Sequence, residues 1–517
     1  MKQKSNHFIK MMLVVLVLAP FISRADVELP SAFGDNMVLQ QRTNARLWGS
    51  ADAGEEIKVM ASWGIEMTVK ADAKGKWETE IATPEGSHTP QQIILKGNNV
   101  VYLKNVLIGE VWLCSGQSNM AWSVKNSNNA YDEIKNADYP SIRFLHVPNT
   151  LAWEPQDDVE ARWEVCTPES VVNKSAIAYF FGRELQNKLD VPVGLIVSAW
   201  GGSGVQAWID KETAGKEGHQ AIVDWYNEHE QKMKDLRFEW IKATAEWRAK
   251  QEEGAFDWSS RPARKLPGDQ HIPFALYNGM IHPIKGYSIK GALWYQGESN
   301  VSRANQYRTL FPAMIKSWRN VWQQGDFPFY YVQIAPYHYN DFDGVKSAEL
   351  RDAQTKTLDI VKNTGMVVVT DIANINDIHP RKKQEVGARF AKMALHNDYG
   401  ELDGEYTSPL YKSQKIESNK VIVSFEHATE LKVRGEEIVG FTIAGKDQKF
   451  VKAKAEIVNG NQVKVWSENI KKPVAVRFGW SNALITNLFN EINLPVSPFK
   501  TDNWKDTTEG EIHLSFP

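Results

Sequence analysis

Cysteine is nearly missing from this chain: Cys114 and Cys166 are the only two in 517 residues. That excludes a disulfide-stapled scaffold and a Cys-rich metal site. Cys114 closes an apolar run, so two buried free thiols are expected, with a single bridge as the alternative an exported chain permits. Excess charge is missing as well. Lys plus Arg number 60 against 63 Asp plus Glu, a formal net charge of −3, and nothing points to nucleic acid. No long apolar run follows residue 25, so no membrane insertion is expected. The His residues include no His-x-x-x-His pair, and His282, His338, His379 and His396 are scattered. Metal-dependent hydrolysis therefore lacks a ligand set, and neither a metal nor a cofactor is expected.

What is present is an ordinary globular composition, 42% hydrophobic and 24% charged. The length allows a large core and about three domains at ~150 residues each. Tryptophan is frequent, at 19 residues. Its faces suit sugar rings, and it also fills large cores; both readings stay open. Residues 1–25 read as a cleavable signal peptide. Lys2, Lys4 and Lys10 form a basic start, Met11 to Ile22 an apolar stretch too short to span, and Ser23-Arg24-Ala25 a small-x-small cleavage site. No Cys follows to carry a lipid anchor. A soluble periplasmic or extracellular protein is expected.

Residues 26–105 show short β runs separated by turn clusters such as Asp52-Ala53-Gly54, which predicts a small N-terminal β-sandwich. From 106 to 401 the pattern changes. Five apolar runs recur: Val106 to Cys114, Val193 to Trp200, Ile289 to Gln296, Phe329 to Ile334 and Met366 to Ile372. Helical segments lie between them, which predicts an α/β domain with a parallel sheet covered on both faces. Residues 210–273 interrupt the rhythm. They are rich in Lys, Glu and Ala, with Leu236, Trp240 and Trp247 on a helical stripe, and read as a charged helical insertion. It is either a cap beside the site or a surface hairpin. Residues 402–517 return to β signals, with Asn459-Gly460 as a hairpin turn, and form a C-terminal β domain.

Ligands of such sheets bind beyond the carboxyl ends of the strands. The polar motifs fall there. Gly116-Gln117-Ser118-Asn119-Met120 follows the first run, Gly201-Gly202-Ser203 the second, Gln296-Gly297-Glu298-Ser299-Asn300 the third, and Asp377-Ile378-His379-Pro380 the last. A serine hydroxyl becomes a nucleophile when an imidazole takes its proton and a third group holds that ring. Ser118, His379 and Asp377 are the candidates. In an extended loop Asp377 and His379 point the same way. Pro380 suits the first position of a following helix. The developing oxyanion needs donors, for which the Ser118 and Gly202 amides are suited, with a side-chain amide from Gln296 or Asn300 as a third. Glu298 reads as a structural acid, a substrate contact or an alternative partner for His379. Trp122, Trp200 and Trp208 lie close to the motifs and line either a sugar site or the core. Met120 stands where the Gly-x-Ser-x-Gly elbow has its last glycine, which argues against a lipase of that fold.

Taken in order, the Ser118, Trp294-to-Asn300 and Asp377-to-Pro380 motifs resemble the sialate O-acetylesterase family of SGNH (GDSL-like) hydrolases. Asp35 to Gln40 and Ser497 to Asp502 resemble its flanking β regions, so the likeness covers nearly all of 26–517. It implies a three-layer, doubly wound parallel sheet of SGNH type flanked by two β-sandwich domains. It also implies a metal-free carbohydrate O-acetylesterase with Ser118 as nucleophile and His379 as base. The substrate would be an O-acetylated saccharide, a sialic acid or a plant glycan such as xylan or xyloglucan. Arg351 is a candidate partner for a sialic carboxylate, or a solvated or structural arginine. A non-catalytic glycan-binding protein and a lipid or thioester hydrolase are the competing readings.

Overall fold

The computed structural model describes residues 26–252, 257–341 and 344–512. The signal peptide expected over 1–25 lies outside them, as do 253–256 of the insertion and 513–517 of the C-terminal span. Among the described residues no helix is long and apolar enough to cross a membrane.

The described residues begin with short strands, most of whose side chains alternate between core and solvent, as a half-buried sheet requires. In Asn44–Ser50, for instance, Ala45, Leu47 and Gly49 are buried. That strand pairs with Lys76–Ala82, while Glu56–Ala61 pairs with Ile65–Lys70 and Ser87–Lys96. The next strand, β1 (Val100–Gly116), is 17 residues long. Its first half pairs antiparallel with Ser87–Lys96 and its second half enters a parallel array. The boundary expected between 105 and 106 therefore falls inside one continuous strand.

All five apolar runs form strands of one sheet, but the sheet is mixed rather than parallel throughout. After β1 come β2 (Tyr139–His146), β3 (Trp163–Cys166), β4 (Val193–Ala199), β5 (Gly291–Tyr295), β6 (Phe329–Gln333) and β7 (Thr364–Val368). Their order is β7-β6-β5-β1-β4-β2-β3, with only β3 antiparallel to its neighbour. The sequence hides β2 because Pro140, Arg143 and His146 break its apolar run. Arg143 is nonetheless buried, donating to Pro140 O at 2.7 Å.

Helices α1 (Ser118–Ala121), α2 (Ala176–Leu189), α3 (Gln220–Glu252), α4 (Ala304–Trp322), α5 (Lys346–Ile360) and α6 (Lys383–Ala394) accompany the strands. Strand alternation divides the core in two. Trp112, Cys114, Leu195 and Leu293 pack with Phe180 of α2 and Phe390 of α6. Val111, Leu113, Ile196 and Trp294 pack with Phe311 and Trp318 of α4. Trp112, Trp208, Trp294, Trp318 and Trp322 are fully buried, so much of the tryptophan content is core. Both cysteines are buried and free. The insertion contains α3, with Met233 and Trp247 buried and Trp240 half-buried along one side. The C-terminal region forms separate antiparallel sheets, two of them four-stranded, around Val423, Phe425, Phe441, Val463, Phe478 and Phe499.

The strand order places the site. From β1 the chain runs to β2 and β3, returns to β4 beside β1, then crosses to β5 on the other side. β1 is the switch point, where adjacent loops diverge and leave a crevice. In register, Gly116 lies opposite both Ala199 and Tyr295, so the loops after β1, β4 and β5 leave the sheet at one level.

Candidate active site

Four motifs meet at that crevice. Gly116 has φ +135°, a region that L side chains rarely adopt, and a Cβ there would lie 2.2 Å from Tyr295 O. Only glycine lets β1 turn this close to β5. Gln117 is extended and opens α1; the Met120 and Ala121 amides donate to its carbonyl at 2.9 and 3.0 Å. Gln117 Oε1 accepts from the Gly297 and Ser299 amides at 3.3 and 3.4 Å, tying the turn to the loop after β5. Ser118 thus sits half-buried on the first position of a single helical turn.

His379 reaches it from the loop after β7. The distance from Ser118 Oγ to His379 Nε2 is 2.8 Å, a hydrogen bond across 261 residues of sequence. The imidazole stacks on Trp122 at 4.8 Å between centres and 18° between planes. Asp377 is not in the extended arrangement expected. Residues 374–377 form a turn, with the Asp377 amide donating to Asn374 O at 3.0 Å. Asp377 Oδ1 accepts from the backbone amide of His379 at 2.9 Å and lies 3.8 Å from Nδ1, beyond hydrogen-bond reach. The helix expected from Pro380 begins three residues later, at Lys383, because the 374–382 loop is held by its own turn bonds and by Arg381 O accepting from Asn128. Burial first, and then the charge of Lys383, lower His379 below the ordinary imidazole range, with Asp377 opposing. A neutral ring beside a serine hydroxyl is the form that accepts a proton.

The loop after β4 supplies the next wall. A Cβ on Gly201 would lie 3.3 Å from Ser118 Cβ, so this glycine runs alongside Ser118. Gly202 has φ +75° and faces the Gln270 side chain, which returns from the insertion. Gly204 donates to Gln270 O at 3.4 Å, so the insertion does border the crevice. Among the described residues the Ser118 and Gly202 amides have no acceptor.

The expected side-chain donors stand differently. Gln296 is buried, and its Nε2 donates to Ser203 O at 2.9 Å and Asn300 Oδ1 at 2.7 Å, so both amide hydrogens are engaged. Asn300 Oδ1 also accepts from the Val205 amide at 3.0 Å, which fixes the orientation of the side chain. Its Nδ2 has one bond, to Gln206 at 3.3 Å, and one hydrogen over. Glu298 is buried beneath the site and accepts from Asn119 rather than from His379; burial raises its pKa. Trp208 belongs to the core, its Nε1 donating to Ser203 Oγ at 2.9 Å. Trp200 is half-buried, and its amide donates to Gly116 O at 3.0 Å. Arg351 is 0% exposed and donates to Ser347 Oγ and Ser481 O, so it presents no guanidinium to solvent. Sequence reasoning missed Gln117, Asn119 and Lys383 as parts of the site. The first two flank Ser118 in its own motif, whereas Lys383 is masked by the run Arg381-Lys382-Lys383.

Residues 108–243 and 265–396, more than half the chain, match the family model "Carbohydrate esterase, sialic acid-specific acetylesterase". The sialate O-acetylesterase of Mus musculus is 28% identical over 511 residues, covering 90% of this chain and 92% of its own. That of Homo sapiens is 29% identical over 464 residues, covering 82% of each. The crystal structure of a carbohydrate acetylesterase from Xanthomonas citri superposes with a TM-score of 0.79 at 33% identity, covering 92% of this chain and all of the other. The chain carrying the Ser118–His379 pair is therefore a member of the sialic acid-specific acetylesterase family of carbohydrate esterases.

Proposed function

We propose that this chain is a carbohydrate O-acetylesterase working through Ser118, with O-acetylated sialic acid as its first substrate class. The observation that carries the reading is the 2.8 Å contact between Ser118 Oγ and His379 Nε2 at the sheet's switch point. Ser118 Oγ attacks the acetyl carbonyl as Nε2 accepts its proton. The oxyanion that forms is stabilised by the Ser118 and Gly202 amides, with the remaining Asn300 hydrogen as third donor. The intermediate collapses, the sugar oxygen leaves with the proton from His379, and an acetyl-enzyme remains. Water, deprotonated by the same imidazole, then releases acetate and restores Ser118. Trp122, stacked on His379, offers its exposed part to the sugar. Acetylated neutral glycans such as xylan are the second reading. It is favoured by the burial of Arg351, which leaves a sialic carboxylate without that partner.

Around this centre we assign an SGNH-type three-layer domain over 106–401 and β-sandwich domains over 26–105 and 402–517, with β1 running unbroken across the first boundary. Export through residues 1–25 belongs to the same reading. The deciding experiment is acetate release by the purified chain from matched O-acetylated sialosides and xylo-oligosaccharides. Faster release from the sialoside is expected; release from the xylo-oligosaccharide alone moves the substrate to the second reading, and none from either overturns the esterase.

The role of Asp377 has its own signature. Its charge raises the affinity of His379 for a proton, so Asp377→Asn should move the acid limb of kcat/KM to lower pH. The pair is half-exposed and 3.8 Å apart, so the shift should stay under about one pH unit and kcat should fall only about tenfold. A pH–rate profile of the variant checks both.

A further inference from the structure

Lys383 opens α6, and its side chain turns inward while Arg381 and Lys382 stay exposed. It is 1% exposed, and its Nζ donates to Asn119 Oδ1. The ammonium also lies 5.4 Å from the centre of the Tyr295 ring and 5.8 Å from that of Trp122, a cation against two aromatic faces. Asn119 is fully buried. Its Nδ2 gives one hydrogen to Glu298 Oε1 at 2.6 Å and the other to Ile378 O at 3.1 Å. Ile378 immediately precedes His379. One buried amide thus joins the nucleophile's turn, the loop after β5, the base's loop and the start of α6. A buried ammonium is costly unless it is paired, so its presence under the site calls for a role that an apolar side chain would not fill.

We propose that Lys383 is a positioning residue of the esterase site: through Asn119 it clamps the loop carrying His379 onto the turn carrying Ser118, and it sets the electrostatic field at the imidazole. The inference rests on the function proposed above. The groups that face the ammonium are Asn119 and Trp122 from the nucleophile segment, Tyr295 and Glu298 from the end of β5 and its loop, and Asp377 and His379 from the loop after β7. Burial pulls the ammonium down to about 7, with Glu298 and then Asp377 resisting. It is therefore charged over the acidic range in which His379 titrates. A positive charge there disfavours the imidazolium, so it keeps the base neutral to lower pH. Asp377 acts on the same ring with the opposite sign. The two effects are separable because only Lys383 also holds Asn119.

The test is a set of kcat and KM profiles for p-nitrophenyl acetate from about pH 4.5 to 9, on the full chain and four variants. Lys383→Met removes the charge at similar length. It should lower kcat by about tenfold to a hundredfold with KM within about twofold, and move the acid limb up by about half a unit. Asn119→Ala cuts the tether and leaves the charge, so kcat should fall with the acid limb in place. Either an unmoved acid limb in Lys383→Met or an undiminished kcat in Asn119→Ala overturns the proposal. If Lys383→Met does not fold, Lys383→Arg replaces it: the charge is kept, so the limb must stay, and an upward shift overturns the proposal. Ser118→Ala separates this inference from the reading beneath it. Turnover surviving in Ser118→Ala removes the esterase reading itself, whereas a dead Ser118→Ala beside wild-type behaviour in the Lys383 and Asn119 variants removes the clamp alone.

Discussion

Ser118→Ala should lower kcat by about 10⁴-fold or more while leaving the fold standing. The two halves of this expectation have separate causes. The Ser118 side chain has one hydrogen-bond partner, His379 Nε2 at 2.8 Å, and it is half-buried in the crevice. Its removal opens no core cavity, and water can meet the freed ring nitrogen. The stability cost should therefore stay within about 1 kcal/mol, as for most changes away from the core. The chemical cost is of another order, since among the described residues no other hydroxyl is placed on His379. Asn119, the next residue, faces inward to Glu298, Ile378 and Lys383 and cannot replace it. Acetate release, thermal unfolding and labelling by a fluorophosphonate probe measure the three consequences. Residual kcat within about tenfold of wild type would place the chemistry elsewhere, because binding and oxyanion donors alone leave far less. Glycan binding retained by an unlabelled wild-type protein would instead favour the non-catalytic reading.

How much of this was legible in the sequence follows from the range of the interactions. β1, β4, β5, β6 and β7 are announced by continuous apolar runs, because a strand buried on both faces needs apolar side chains on both. The polar motifs at their ends then follow from the strand direction. β2 escaped because Arg143 and His146 interrupt it, and what permits Arg143 inside is a contact with Pro140 O that no periodicity encodes. The same limit applies in the site. Ser118 and His379 could be singled out by residue type and position, but their 2.8 Å approach is a property of the folded sheet. Lys383 looks like one of three solvated cations, and only the register of α6 against the Ser118 turn decides that it alone points inward. The same holds for Arg351: residue type leaves it open as a carboxylate partner or as a solvated or structural arginine, and only packing decides, with α5 pressing it against the segment around Ser481. Gln296 carries the right group for an oxyanion donor, yet its two hydrogens already brace the loops after β4 and β5. Local pattern thus located the edge of the sheet where Ser118 and His379 meet, and long-range packing chose which side chains line the crevice and which hold the frame.

Gly116→Ala should be the most damaging substitution of the frame. The added Cβ would lie 2.2 Å from Tyr295 O and 2.7 Å from Tyr295 C, both backbone atoms of the neighbouring strand. No side-chain rotation relieves such a contact; β1 and β5 must separate, or φ +135° must change. A strained backbone and overpacking each cost about 1–3 kcal/mol, so a loss of about 2–6 kcal/mol is expected. The bonds at stake are those that aim Ser118. The Gln117 amide donates to Tyr295 O at 2.9 Å, and Gly116 O accepts from the Trp200 amide at 3.0 Å. Activity should therefore vanish together with stability, read as a fall in the denaturation midpoint and loss of acetate release. Gly201→Ala is the contrast that isolates the backbone argument. There the new methyl meets Ser118 Cβ at 3.3 Å, the backbone is unstrained, and a shift of a few tenths of an ångström suffices. Its stability should change by less than about 1 kcal/mol, while the displaced Ser118 loses about tenfold in kcat. If Gly116→Ala unfolds no more easily than Gly201→Ala, the close approach of β1 to β5 is not what holds Ser118 at the crevice.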